Sequence, residues 1–405
     1  MSAMETKTIS VRRTNQVYQN MQNPYILNSY YNFKTLEKLN GTEISGSSPP
    51  DIFIGRYGYP NVYIGPLVPP QFGDTSIMAE PERWVGLSIP QIVELRSTLI
   101  RGMYRTKVTK ADNGRIEEMI KELALAEKYG GVEEKLLHRP HPGMRFDENS
   151  QPYGPSARML DMSLGNIKAN PQIEKAYYDT SMAAKDAIIE LYEKGVAVSK
   201  IQKTLSAGIL GRQKSRKFVP TRWSITAVDD TLSKNLLKVI KQYEPVDSIK
   251  AFYSEALDNR WLVLILPGSW EYELVEAWYP NTTWNLESRE IAIYSSYEPF
   301  EGRTKYAEIG GCYYAARLAS AELLESFKGQ AKVVILREAH PGYIMPVGVW
   351  NVREHVRATL KSKPIEFNDL YQAVNFVSSK MDIPIASWVR NSTLLRKALY
   401  QRRLA

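Results

Sequence analysis

Residues 260–280 read RWLVLILPGSWEYELVEAWYP, and the fold class turns on them. Upstream, apolar residues recur at helical spacing; here the period changes to strand-like runs on either side of a PGS turn. The passage predicts two neighbouring strands, 260–268 and 271–280. Toward the C-terminus, "REIAIYSSYEP" (289–299) reads as a third strand and "AKVVILREA" (331–339) as a fourth, with a helix over 311–327 between them. The tail is helical over 351–362, 367–380 and 386–403.

Toward the N-terminus the helical period dominates. "SIPQIVELRSTLIRGM" (88–103) opens on a Ser cap and sets Ile92, Leu95, Leu99 and Met103 on one face. Further helices are expected over 113–131, which stops at a Gly pair, and over 171–195, 197–211 and 229–244. "DIFI" and "NVYIG" predict two short strands joined by a RYGYP turn. Residues 1–50 are polar and read as a loosely held arm with short ordered pieces. No repeat of 20–50 residues is visible. The expectation is an α+β fold: a mixed, partly antiparallel sheet, several flanking helices and a helical C-terminal part.

The 405 residues are 43% hydrophobic and 24% charged, the balance of an ordinary globular protein. No apolar run approaches the ~20 residues that span a bilayer, and MSAMETKTISVRR lacks the apolar core of a signal peptide. A cytoplasmic protein with no membrane partner is expected. The single cysteine, Cys312, excludes an internal disulfide and a multi-cysteine zinc site. It sits at a helix start with no base beside it and reads as a buried, inert thiol. No P-loop, G-x-G-x-x-G, H-E-x-x-H or G-x-S-x-G is present.

Lys and Arg number 52 against 44 acids, a net charge of +8 that favours an anionic partner. Its distribution is more telling. In GRQKSRKFVPTRWSITAVDD (211–230), Arg212, Lys214, Arg216, Lys217 and Arg222 are uninterrupted by any acid, and Phe218 and Trp223 offer faces for base stacking. The bland alternative is a solvated loop at a helix end. Asp229 and Asp230 either cap a helix N-terminus or bind a cation, the cap being the commoner use.

Two further stretches carry candidate chemistry. GRYGYPNVYIGPLVPP (55–70) interleaves Arg56, Tyr57, Tyr59 and Tyr63 with Gly and Pro, as a ligand-contacting turn or a tight aromatic turn would. LREAHPGYIMPVGVWNVREHVR (336–357) ends a strand on Arg337, Glu338 and His340 and opens a helix with Arg353, Glu354, His355 and Arg357. His340 is a candidate general acid or base with Glu338 as partner, or a structural histidine. His138 and His141 form a weak metal signal that Pro140 interrupts. The tail "PIASWVRNSTLLRKALYQRRL" is amphipathic, with Trp388, Leu395 and Leu399 on one side. Its basic side, Arg390, Arg396, Lys397, Arg402 and Arg403, faces nucleic acid or is the outer face of a core-docked helix.

GRYGYPNVYIGPLVPP, GRQKSRKFVPTRWSITAVDD, REAHPGYIMPVGVWNVRE and the closing basic helix, in that order, resemble the archaeal Nre family. The resemblance runs from about residue 50 to the C-terminus. It implies an arm over 1–50, an N-terminal domain over 51–288 and a C-terminal domain over 289–405. It also implies a role in DNA repair and in tolerance of DNA damage, with DNA and the sliding clamp (PCNA) as partners. It names no cofactor and no reaction. Family members bind the clamp through a C-terminal peptide of glutamine, an aliphatic residue and two aromatics; this chain ends YQRRLA and departs from it. YILNSYYNF (25–33) carries the aliphatic–aromatic spacing without the glutamine. The N-terminal cysteine pair that would hold zinc is also missing, so no metal is expected.

Three readings follow. The favoured one is a repair protein holding damaged or single-stranded DNA on Arg212, Lys214, Arg216, Lys217, Arg222 and Trp223. The second is an enzyme on nucleic acid or nucleotide, a nuclease or transferase gathering Arg56, Tyr59, Arg222, Asp229, Glu338 and His340. The third is a non-catalytic repair adaptor.

Overall fold

The computed structural model describes residues 39, 41–141, 143, 150–282, 284–285, 288–343 and 347–400. The chain forms two compact units. The N-terminal unit is Asn28–Lys238 with the returning segment Val347–Glu354; the C-terminal unit includes Val239–Pro346 and His355–Ala405. Each is built on one mixed six-stranded sheet, so the α+β expectation holds with two sheets in place of one. No described helix is long and apolar enough to cross a membrane.

In the N-terminal unit the strands are β1 (Glu43–Ser48), β2 (Ile52–Ile54), β3 (Asn61–Val68), β4 (Ile100–Lys107), β5 (Gly130–Leu136) and β6 (Ser156–Leu164), in the spatial order β1-β5-β6-β4-β3-β2. Only β4 and β6 run parallel. The expected hairpin is β2 and β3, with Ile54 opposite Ile64. Six α-helices among the described residues accompany the sheet: α1 (Ile89–Ser97), α2 (Arg115–Leu125), α3 (Pro171–Tyr178), α4 (Ala184–Glu193), α5 (Val198–Ser206) and α6 (Thr221–Ile240).

Three expectations change here. Ser88 does cap α1, in a capping box with Gln91, but the helix stops at Ser97, and Leu99 and Met103 do not continue its face. Ile100–Lys107 becomes a strand because two ladders, β3 and β6, claim its backbone. Gly102 lets that strand lie where it does: a Cβ there would stand 2.7 Å from Glu134 Oε1. The helix expected over 171–195 breaks in two, because the Asp179 carboxylate accepts from the Ser181 and Met182 amides (3.0 and 2.9 Å) in a local turn. Third, α6 starts at Thr221, so Asp229 lies mid-helix and caps nothing.

The polar interior of this unit is organised around Asp51. Its carboxylate meets Arg96 Nη1 at 2.7 Å and Lys203 Nζ at 3.2 Å. Arg96 also donates to the Pro152 and Met78 carbonyls, and Lys203 to that of Ala79. Burial alone would raise the Asp51 carboxyl, but Lys203 and Arg96 outweigh it and hold it below the ordinary carboxylate value. A second pair, Asp229 with Arg353 Nη1 at 3.1 Å, fastens the segment Val347–Glu354, and Trp350 meets Trp84 edge-on at 4.9 Å. Beside Asp51, the Lys200 ammonium is buried without an acceptor among the described residues. Burial first, and the charge of Lys203 second, pull its pKa down to about 7.

The C-terminal unit contains β7 (Ile249–Ala256), β8 (Asn259–Leu266), β9 (Glu271–Trp278), β10 (Ala292–Glu298), β11 (Lys332–Ala339) and β12 (Ile365–Phe367), ordered β10-β9-β11-β8-β7-β12, with β9 and β11 parallel. The four strands expected from 260–339 are β8, β9, β10 and β11. Central β8, β9 and β11 are buried almost end to end, which is why they read as apolar runs. The helix predicted from "GGCYYAARLASAELL" is α7 (Gly311–Phe327), with Cys312 half-buried at its start. α8 (Trp350–Leu360) begins in the returning segment Val347–Glu354 and belongs to this unit from His355 on; then come α9 (Leu370–Lys380), α10 (Ile385–Asn391) and α11 (Thr393–Tyr400). Val377, Trp388, Leu394 and Leu395 of these last helices pack on Leu264, Val275 and Leu336 of the sheet.

Two predictions follow. Asp51→Asn removes the one anion between two buried cations and lowers stability by about 3–5 kcal/mol in urea unfolding. For Lys200, the unfolded chain keeps its proton up to the ordinary value of 10.5, whereas the folded chain releases it near 7. Between those values the unfolded state binds more protons, so stability rises with pH, by at most about 1.4 kcal/mol per unit. Below about 7 the group adds no slope. Lys200→Met flattens the stability profile between pH 7 and 9.

Candidate nucleic-acid interface

Three distant stretches of sequence are laced together by backbone hydrogen bonds on the N-terminal unit. The Val108 amide donates to the Pro60 carbonyl (2.9 Å), and the Phe218 amide donates to the Val108 carbonyl (3.0 Å). The Ile54 amide donates to Thr221 Oγ1 at 2.9 Å, which fixes the start of α6 against β2. The RYGYP turn, the end of β4 and the basic loop therefore lie side by side. The turn closes through Asn61 N to the Gly58 carbonyl, with Gly58 at φ 80°, a conformation that favours glycine. Phe218 is buried and anchors the loop instead of offering a stacking face.

Outside this seam stand three aromatic rings: Tyr57 is 79%, Tyr59 44% and Trp223 45% exposed. The Tyr59 and Trp223 rings are 5.1 Å apart and inclined by 51°. The Arg56 guanidinium lies over the Tyr57 ring at 5.0 Å and donates to its hydroxyl. Lys107, Lys110, Arg212, Lys214 and Lys217 are exposed. Neither they nor Arg56 have an ion-pair partner among the described residues. Sequence reading missed Lys107 and Lys110; their signal is the exposed side of the β4 end, hidden while 88–103 reads as helix.

Other candidates lie elsewhere. Arg216 is interior: its Nε donates to the Gly211 carbonyl (2.8 Å), its Nη2 to that of Asp179, and it stacks on Tyr177. Arg222 is half-buried, and Tyr63 is half-buried on β3. Asp229 is fully buried, held by Arg353 and Gln202. Asp230 pairs with Lys234 on its own helix. Of the tentative catalytic residues, Arg56, Tyr59 and Asp229 belong to the N-terminal unit and Glu338 and His340 to the C-terminal unit.

In the C-terminal unit, His340 Nε2 is 3.2 Å from Glu338 Oε2 and its ring stacks on Tyr279 at 4.4 Å. Asp382 completes a group whose ligand atoms lie within 4.8 Å of one another. Both Glu338 oxygens already accept backbone amides, from Ile383 (2.8 Å) and Asp382 (3.1 Å), and Arg260 pairs with the Asp382 carboxylate. The group is satisfied as a joint between β11 and the start of α10. His138 and His141 have rings 4.9 Å apart and gain no third ligand among the described residues. Arg337 is sandwiched by Trp261 and Trp278 (4.7 Å each) and pairs with Glu276; Arg357 pairs with Glu322. The tail helix is core-docked, with Arg390 and Arg396 on its outer face. Residues 25–33, Arg402 and Arg403 lie outside the described residues.

The family model for the archaeal Nre N-terminal region matches residues 21–285, and that for the C-terminal region matches 298–405. This chain belongs to the archaeal Nre family. Among curated Nre proteins, it is 43% identical to "DNA repair protein NreB" of Archaeoglobus fulgidus over 88% of this chain and 90% of that one. It is 37% identical to "DNA repair protein NreA" of the same organism over 84% and 86% of the two chains. The NreA of Haloferax volcanii, also named a DNA repair protein, is 35% identical over 88% of each. No solved structure matches this Nre chain.

Arg216 and its exposed neighbours separate by stability. Arg216→Ala strands the buried Gly211 carbonyl and removes a donor from the part-buried Asp179 carbonyl, and costs about 1–3 kcal/mol in urea unfolding. Lys214→Ala and Lys217→Ala stay within about 0.5 kcal/mol of the parent.

Proposed function

We propose that this Nre chain acts in DNA repair and that it holds DNA by its phosphates on the face formed by the RYGYP turn, the end of β4 and the loop 211–218. The repair role is supported by the names of relatives that match most of the chain. The binding face is supported by one observation above all: Arg56, Lys107, Lys110, Arg212, Lys214 and Lys217 carry charge that no acid of the described chain neutralises. Unpaired cations are free to neutralise phosphates, and release of the counterions condensed on the nucleic acid drives association. Asp112, which Gln213 of the loop reaches, is paired with Lys121. The satisfied environments of Asp229 and Glu338 give the enzyme reading no comparable support.

The test is the salt dependence of oligonucleotide binding by fluorescence anisotropy. Log Kobs falls linearly with log salt, and each phosphate-contacting cation removed makes the slope shallower by about 0.7 for single strands or about 0.9 for duplex. Replacing Lys107, Lys110, Arg212, Lys214 and Lys217 by Gln together abolishes most of the binding while the melting temperature is kept. Salt-independent binding, or full binding by that variant, overturns the proposal.

A further inference from the structure

We infer that the face takes unpaired nucleotides, with bases stacked on Tyr57, Tyr59 and Trp223; this rests on the reading that DNA phosphates bind beside them. The rings supply the argument. Tyr57 is 79% exposed, Tyr59 44% and Trp223 45%, and they come from two stretches of chain brought together by the Ile54–Thr221 and Phe218–Val108–Pro60 bonds. Water against so much aromatic surface is unfavourable, and a flat apolar partner relieves it. Tyr59 and Trp223 are inclined by 51°, so they do not cover one another's faces; each keeps an outer face for one base. Arg56, stacked at 5.0 Å over Tyr57, adds a planar cation that also stacks on bases.

Charge complementarity selects the occupant. Rings ringed by unpaired Lys107, Lys217 and Arg56 suit a partner that is aromatic and anionic at once, and a nucleic acid strand is both. A duplex presents phosphates outward but buries its base faces in the helical stack, so it satisfies the cations and leaves the rings bare. A single strand, gap or flap satisfies both.

Anisotropy across a series of salt concentrations compares a single-stranded oligonucleotide, its duplex, and a single strand of equal length in which abasic residues replace the bases. Single strand binds more tightly than duplex, and the abasic strand loses ~10-fold or more. Tyr59→Ala with Trp223→Ala loses ~10-fold or more on the single strand only, with the salt slope and duplex affinity unchanged; Tyr59→Phe with Trp223→Phe restores binding. Equal affinity for normal and abasic strands, or an equal loss on both forms of DNA, overturns this inference while leaving the phosphate reading standing. Failure of the parent protein to bind any of the three overturns both.

Discussion

The Asp51 carboxylate is the joint on which the N-terminal unit turns. It precedes β2 and gathers Arg96 from α1 and Lys203 from α5, while its own carbonyl accepts the Leu67 amide of β3 (3.0 Å). Two cations on one buried carboxylate are a strong constraint, because charge attraction is weakly screened there. The constraint propagates along three residues of β2. Ile54, at its end, receives the first turn of α6 through Thr221, and that contact brings Trp223 against Tyr59. The exposed face is thus set from below, by a buried charge cluster.

The C-terminal unit uses carboxylates differently, to fasten helices to a sheet. Glu273 on β9 accepts from Ser392 Oγ and from the Thr393 and Leu394 amides, supplying α11 with its N-terminal cap from another element. Glu338 on β11 does the same for the Asp382 and Ile383 amides ahead of α10. Glu271 holds Lys332 and Lys397 together. The tail is basic in composition, yet Lys397 answers an acid of the sheet and Trp388 and Leu395 face the core. Its amphipathic pattern is explained by docking.

Much of the fold was legible, and the failures have identifiable causes. The runs of β8, β9 and β11 announced themselves because both faces are buried, and the β2–β3 hairpin because Gly and Pro bound it. β4 stayed hidden because Leu99 and Met103 continue the helical spacing of α1; only the ladders to β3 and β6 decide, and those partners are remote in sequence. β5 alternates buried and exposed residues cleanly, but two glycines at its start read as a helix stop. In the candidate interface, residue type located Arg56, Tyr59, Lys217 and Trp223. It did not separate Arg216 from Lys217, neighbours of equal charge of which one is buried, and it could not add Lys107 or Lys110, which join through backbone bonds alone.

The two kinds of cation are not distributed at random. Inside, the charged side chains that grip fixed acceptors are largely arginines: Arg96, Arg216, Arg337 and Arg353 each aim a planar fork at carboxylates or carbonyls held in place. On the exposed seam, lysines stand at 107, 110, 214 and 217, with Arg56 and Arg212 beside them. A guanidinium rewards fixed geometry, whereas an ammonium on a flexible stem is a hydrated point charge that follows its partner. Lysines round a small aromatic platform therefore suit a strand whose phosphates shift with its sequence and backbone angle. On the proposed reading they would give grip without register, as holding DNA wherever damage falls requires.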